Sequence, residues 1–188
     1  MQREIKVLLT ADMMFTAALG LLGPIYAIFV SEIGGNVLAA SSAWAGFAFT
    51  TGFITLLVSR YEDSFPKKGL LVVGGYLIKT VGVAGYFFVG NPLQLLLVQI
   101  TLGLGSAIGY PAFDQVYSSH LSSKRGCFEW GLYESFYSIF TAVAAIIGGI
   151  IVTYFGGFTT LFAVMLLLSV FGTVVATHLV YRKKHIIF

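Results

Sequence analysis

Ser59-Arg60-Tyr61-Glu62-Asp63-Ser64-Phe65-Pro66-Lys67-Lys68 is the most densely charged stretch of this chain, and it stands between two long apolar runs. Its three basic residues form one of four clusters that together hold ten of the eleven Lys and Arg. The other clusters are Arg3 with Lys6, Lys124 with Arg125, and Arg182 to Lys184. Six apolar stretches run between them, so every second gap is basic and the remaining gaps carry no positive charge. Short loops rich in Lys and Arg are retained on the cytoplasmic side, so this alternation predicts an N-in, C-in membrane protein.

The composition leads to the same place. Hydrophobic residues make up 57% of the chain and charged residues 10%, with a mean hydropathy of +0.90, which excludes a soluble monomer. Each apolar stretch has roughly the 20 residues that cross hydrocarbon as a helix. The spans are predicted at about 7–30, 38–59, 69–89, 92–117, 131–155 and 158–181. Little is left for anything else, so residues 1–188 read as one all-α, six-helix transmembrane domain of the cell membrane. The formal charge of +3 and pI near 9.0 describe a basic rim facing the lipid bilayer, and nucleic acid is not an expected partner. The first stretch is too long for a signal-peptide core and lacks a small-residue cleavage site, so it is expected to remain as a helix. Cys127 is the sole cysteine, and Trp44 and Trp130 fall near span ends, where indoles anchor at the interface.

Nothing in the chain reads as a catalytic motif. His120, His178 and His185 are scattered, and no paired metal-binding histidines, phosphate loop or hydrolase triad order is present. No enzymatic activity, cofactor or metal is expected.

A weak internal repeat gives the spans an arrangement. The first contains Gly23-Pro24-Ile25-Tyr26-Ala27 and the fourth Gly109-Tyr110-Pro111-Ala112-Phe113, each interruption in the third quarter of its span. Because the two run in opposite directions, spans one to three and four to six are expected to be inverted repeats. Each proline removes a backbone bond, freeing the carbonyls of Gly20 and Ala107 in a solvent that offers no replacement.

With these features the chain resembles one half of a major facilitator superfamily transporter, over its whole length. The family's Gly-x-x-x-Asp-Arg-x-Gly-Arg-Arg loop, with a following Leu, is matched in frame by Ser59, Asp63, Ser64, Pro66, Lys67, Lys68 and Leu71. The acid and the two terminal basic residues are kept; both glycines and the central Arg are not. The family's Arg-x-x-x-Gly-x-Gly in helix four becomes Gln99, Gly103, Gly105, followed by Pro111, and Arg125-Gly126 leads into helix five. Ala144 and Ala145 stand where antiporter members have Gly-Pro, which argues against the drug/proton branch. Family members have twelve helices and this chain six. The resemblance therefore implies a half-size transporter subunit moving a small solute by alternating access. Two copies would pair in parallel, since the halves of the family are related by an axis along the membrane normal. The alternatives are a non-transporting membrane scaffold or assembly subunit, and an N-terminal fragment of a twelve-helix transporter.

Ionisable groups inside spans are costly, and they mark the expected solute or ion pathway. Lys79 lies mid-span, about 15 Å from either interface. Asp12, Asp114 and Glu134 lie in the quarter of their spans nearest the basic loops, where a hydrated interfacial carboxylate is the simpler expectation. Gln99, Gly103, Ser106, Tyr110 and Asp114 share one face of the fourth helix, and Asp12, Thr16, Gly20, Gly23 and Tyr26 one face of the first. Both faces suit the wall of an aqueous cavity, with Pro24 and Pro111 as bends. Asp63, Lys67 and Lys68 are expected to close the cytoplasmic side, the acid capping a helix end or pairing with a base. Ala144 with Gly148, and Ala145 with Gly149, have the spacing of close helix packing.

Overall fold

The computed structural model describes residues 3–122 and 124–181, which are helical with short connections and contain no strand. The Arg182 to Lys184 cluster lies outside the described residues. Six helical segments are long and apolar enough to cross a membrane: span 1 (Ile5–Glu32), span 2 (Val37–Ser64), span 3 (Lys68–Phe88), span 4 (Pro92–Ser119), span 5 (Gly126–Tyr154) and span 6 (Gly157–His178). Spans 2 and 5 run further toward the basic loops than hydropathy indicates. An apolar window ends where lipid ends, whereas the helical hydrogen-bond ladder continues into water until a breaker such as Pro66 stops it. At the opposite end, Asn36 caps span 2 by accepting from the Ala39 amide at 2.9 Å. Asn91 caps span 4 by accepting from Leu93 and Gln94 at 3.1 and 3.0 Å. The turn between spans 5 and 6 is made by Gly156 and Gly157, both at positive φ, a region that a side chain would strain.

The packing follows the expected inverted repeat. Span 1 packs on spans 5 and 6, span 4 on spans 2 and 3, and spans 3 and 6 pack on each other. Exchanging the first three spans with the last three leaves this set of contacts unchanged; spans 5 and 6 also touch, more lightly, without a comparable contact between spans 2 and 3. Spans 1 and 4, the equivalent pair at the centre, barely touch. Spans 2 and 5 are nearly bare: only 6% and 11% of their apolar windows are buried, against 39% to 50% in the other four.

The two prolines behave differently. Pro24 converts the first helix to a 3-10 turn over Gly23–Ile25, and both Gly23 and Pro24 are exposed. Pro111 sits inside an unbroken helix. There the Ala107 carbonyl, left free by the missing amide, is met by the Thr55 hydroxyl of span 2 at 3.5 Å. A neighbour able to donate a proton lets span 4 remain regular; among the described residues no side chain donates to the Gly20 carbonyl, and span 1 changes its winding instead.

Close seams hold the contacts. Gly75 of span 3 lies against Gly105 and Gly109 of span 4 so tightly that a Cβ would stand 2.6 Å from the Gly105 oxygen and the Gly109 Cα. Gly148 of span 5 lies against the Leu21 carbonyl of span 1, and Ala144 is buried beside Gly20. Of the two small-residue pairs on span 5, Ala144 with Gly148 therefore makes the seam, while Gly149 faces open space. The apolar interior falls into two clusters. One is built around Leu21, Phe29, Tyr86, Leu95, Phe162 and Met165, the other, toward the basic loops, around Leu8, Phe15, Val72, Tyr76, Phe113 and Tyr117. Among the residues buried outside both are Lys79, Ser106, Ser169 and Thr173, with the Thr80 and Thr173 hydroxyls 2.9 Å apart.

Candidate functional site

The polar interior is organised by tyrosines on four spans. Asp12 of span 1 is 5% exposed and accepts hydrogen bonds from Tyr76 of span 3 at 2.9 Å and Tyr133 of span 5 at 3.0 Å, one on each carboxylate oxygen. Hydrogen bonds to an ionised acceptor contribute about 1.5–3 kcal/mol each, enough to hold a carboxylate in an apolar bundle. Asp12 is thus buried and doubly bonded, in contrast to the wet interfacial carboxylate expected of it. Asp114 and Glu134 are exposed on the single copy, and Asp114 stands within electrostatic reach of both Glu134 and Asp12.

Lys79 is 2% exposed, and its ammonium is enclosed by aromatic rings. The Nζ lies 4.4 Å from the Tyr110 ring centre, 4.9 Å from Tyr76 and 5.3 Å from Phe15. Phe15 and Tyr76 stack on each other at 4.5 Å. Gly105 makes room for this arrangement, since a Cβ there would come within 2.7 Å of the lysine Cγ. Tyr76 joins the two charged groups, its hydroxyl bonding Asp12 and its ring facing Lys79. Span 3 thus supplies the cation of the cluster.

The fourth-helix stripe is less uniform than its spacing implies. Gln99 is buried and its amide donates to Tyr26 at 3.1 Å and Tyr86 at 3.3 Å, tying spans 4, 1 and 3 together where the family carries an arginine. Gly103 is covered by Phe47 and Thr50 of span 2. Ser106, expected on a wet wall, is 1% exposed, and its hydroxyl has no partner among the described residues. Only Tyr110 and Asp114 reach the surface of the single copy. On span 1, Thr16 and Tyr26 are half-buried. A stripe drawn by helical spacing takes no account of neighbours: span 2 covers Gly103, and Tyr26 of span 1 and Tyr86 of span 3 meet Gln99. In a Cys127→Ser background, Tyr110→Cys should therefore react with a small polar maleimide and Ser106→Cys should not. Equal rates at the two positions would contradict this geometry.

The basic loop also departs from expectation. Asp63 and Lys67 are exposed, and no side chain caps the start of span 3. The helix-end contact comes from Lys68, whose ammonium donates to the Glu62 backbone carbonyl at the C-terminal end of span 2, where a cation suits the helix dipole. Glu62 itself was not singled out by its sequence position. It is 5% exposed, with both carboxylate oxygens buried and without a hydrogen-bond partner among the described residues. A cavity of about 280 Å³ lies beside it, lined by Ser59, Glu62, Asp63, Pro111, Ala112 and Gln115. A larger concavity, about 570 Å³, is lined only by apolar residues of span 6 such as Leu167 and Phe171 and has the chemistry of a lipid-facing groove. Trp130, expected as an interfacial anchor, packs 4.8 Å from Tyr117 and 5.8 Å from Tyr133, inside the aromatic cluster. Trp44 is 63% exposed on span 2.

Six antiparallel spans related as inverted triplets, with charged and polar groups gathered between them, define a half-bundle of the secondary-transporter kind. A family model described as Major Facilitator Superfamily matches residues 8–186, and the chain belongs to that superfamily. It is a transporter-family protein, not an enzyme. The chain is similar to a protein described as an uncharacterized MFS-type transporter, YitZ, of Bacillus subtilis (strain 168). The two are 24% identical over 146 residues, which is 76% of this chain and 85% of the relative.

Proposed function

We propose that the chain is a transporter subunit that moves a small solute across the cell membrane by alternating access, as a parallel homodimer with both termini cytoplasmic. The observation that carries this reading is the bareness of spans 2 and 5. In a bundle whose other four spans bury 39% to 50% of their apolar windows, two spans at 6% and 11% leave a whole side without a protein neighbour. Exposed on the same copy are groups that lipid solvates poorly: Asp114, Glu134, Tyr110 and the broken turn at Gly23 and Pro24. A second copy related by an axis along the membrane normal would pair spans 2 and 5 and enclose spans 1 and 4, giving those groups an aqueous cavity. The relative supports this, because 146 residues make up 85% of it and leave no room for twelve spans. Asp12, Lys79, Tyr110, Asp114 and Glu134 would line the solute or ion pathway, with Thr16, Tyr26 and Gln99 beside them. Asp63, Lys67 and Lys68 would close the cytoplasmic side, with Pro24 and Pro111 as the bends.

The reading is tested by incubating proteoliposomes of the purified protein in a water-soluble metabolite extract and identifying by mass spectrometry what the vesicles take up beyond protein-free controls. Enrichment of defined solutes, together with a dimer in nanodiscs, is expected. A strict monomer would remove the homodimer, and a dimer that enriches nothing would favour a scaffold. Orientation has its own check at Cys127, which is exposed at the start of span 5 beside Lys124 and Arg125. A maleimide too polar to cross membranes should label it only after cells are opened, and labelling in intact cells would invert the topology.

A further inference from the structure

The cavity beside Glu62 carries an inference of its own. A carboxylate 5% exposed with neither oxygen bonded is a costly arrangement, because an ion removed from water loses several kcal/mol of solvation that only a partner restores. Lys68 offsets it only in part: its charge acts on Glu62, but its ammonium donates to the Glu62 backbone carbonyl and makes no hydrogen bond to the carboxylate. The carboxylate lines a cavity of about 280 Å³, with room for an ion and several waters. The other polar groups of that cavity are the Ser59 hydroxyl, the Asp63 carboxylate and the Gln115 amide. All offer hard oxygen atoms, with no imidazole and no thiol, which is donor chemistry for alkali and alkaline-earth cations. The charges that act on Glu62 are those of Asp63 and Lys68, so one more positive charge balances the two carboxylates, which suits a monovalent ion better than a divalent one.

We propose that this cavity binds a single alkali cation, with Glu62 as its principal ligand, and that this cation is the coupling ion of the transporter. Binding stands on the cavity alone; the coupling rests on the transporter reading above. The place in the fold favours a link to movement. Ser59, Glu62 and Asp63 belong to span 2, Gln115 to span 4, and the proline of span 4, Pro111, forms part of the wall. An ion shared between the two spans would hold span 2 against the segment of span 4 beyond its proline. Its departure would free Glu62 to take Lys68, six residues on at the start of span 3, so that the cation and the lysine compete for one carboxylate.

The test uses the intact protein in nanodiscs, with thermal unfolding followed in NaCl, KCl or LiCl against choline chloride at equal ionic strength. At least one alkali ion should raise the midpoint over choline in a saturable way. Glu62→Gln, which keeps the shape and removes the charge, should weaken the apparent affinity by about tenfold or more. Lys68→Met, which removes the competitor, should tighten it. No difference between alkali ions and choline overturns the site, as does an equal response in Glu62→Gln. Stabilisation that follows pH alone would make Glu62 a proton carrier and overturn the alkali assignment. Uptake in the proteoliposome assay separates the two layers. Uptake that needs the same ion supports coupling, and uptake indifferent to it removes the coupling while the transporter reading survives. Ion binding without any uptake removes the transporter reading and the coupling together, and leaves the site.

Discussion

Gly75→Leu and Gly148→Leu are expected to unfold the bundle, while the same substitution one residue away, Gly74→Leu or Gly149→Leu, leaves the protomer folded. The contrast follows from what a side chain would meet. At Gly75 the nearest atoms are backbone of span 4, namely the Gly105 oxygen, the Gly109 Cα and the Gly109 nitrogen at 2.6 to 2.8 Å, and at Gly148 the carbonyl of Leu21 occupies the space. Backbone cannot rotate aside, so accommodation requires two helices to separate along their length. Overpacking a core that can adjust costs about 1–3 kcal/mol, and a rigid seam lies at or above the top of that range. At Gly74 and Gly149 nothing lies within 4 Å. Size-exclusion profile and unfolding midpoint in mild detergent would separate the pairs, and similar behaviour of Gly74→Leu and Gly75→Leu would refute the packing of spans 3 and 4.

Lys79→Met should abolish uptake and leave folding unchanged or slightly improved. Burying an ammonium costs several kcal/mol, while three aromatic faces return about 0.5 to 2 kcal/mol each, so the cage roughly offsets the desolvation and adds little net stability. Methionine fills a similar volume without the charge. A residue of such small structural value at 2% exposure, in contact with spans 1 and 4, is expected to act in transport. Uptake should fall by at least about tenfold, whereas Lys79→Arg should restore only part of it, because guanidinium is larger and does not release its proton. Wild-type uptake by Lys79→Met would reduce the lysine to a packing element.

The spans and their antiparallel order were legible because lipid imposes a coarse rule: apolar length and the placement of Lys and Arg are properties of sequence windows. Lys79 was legible for the same reason, as an isolated charge inside one window. The partners were not. Tyr76 and Tyr133 lie 64 and 121 residues from Asp12, and a tyrosine in a span reads equally well as core, anchor or donor. Trp130 shows the ambiguity, its position near a span end indicating the interface while its neighbours Tyr117 and Tyr133 draw it inward. Glu62 was hidden by its surroundings, since an acid between Arg60 and Asp63 in a charged loop looks solvated until a fold buries it. Ser106 erred the other way, because helical periodicity assigns a face but not what covers it.

The bare faces of spans 2 and 5 bear on how much of this protein a membrane must contain. A working unit assembled from two identical chains in a two-dimensional solvent obeys mass action, so halving the density of chains in the bilayer reduces the density of complete units by more than half. At sparse occupancy, transport would rise with the square of gene expression, and an inactive variant made alongside the normal chain would disable far more than its own share. A transporter with both halves on one chain is free of this threshold. A homodimer of the kind proposed would thus respond to its own abundance.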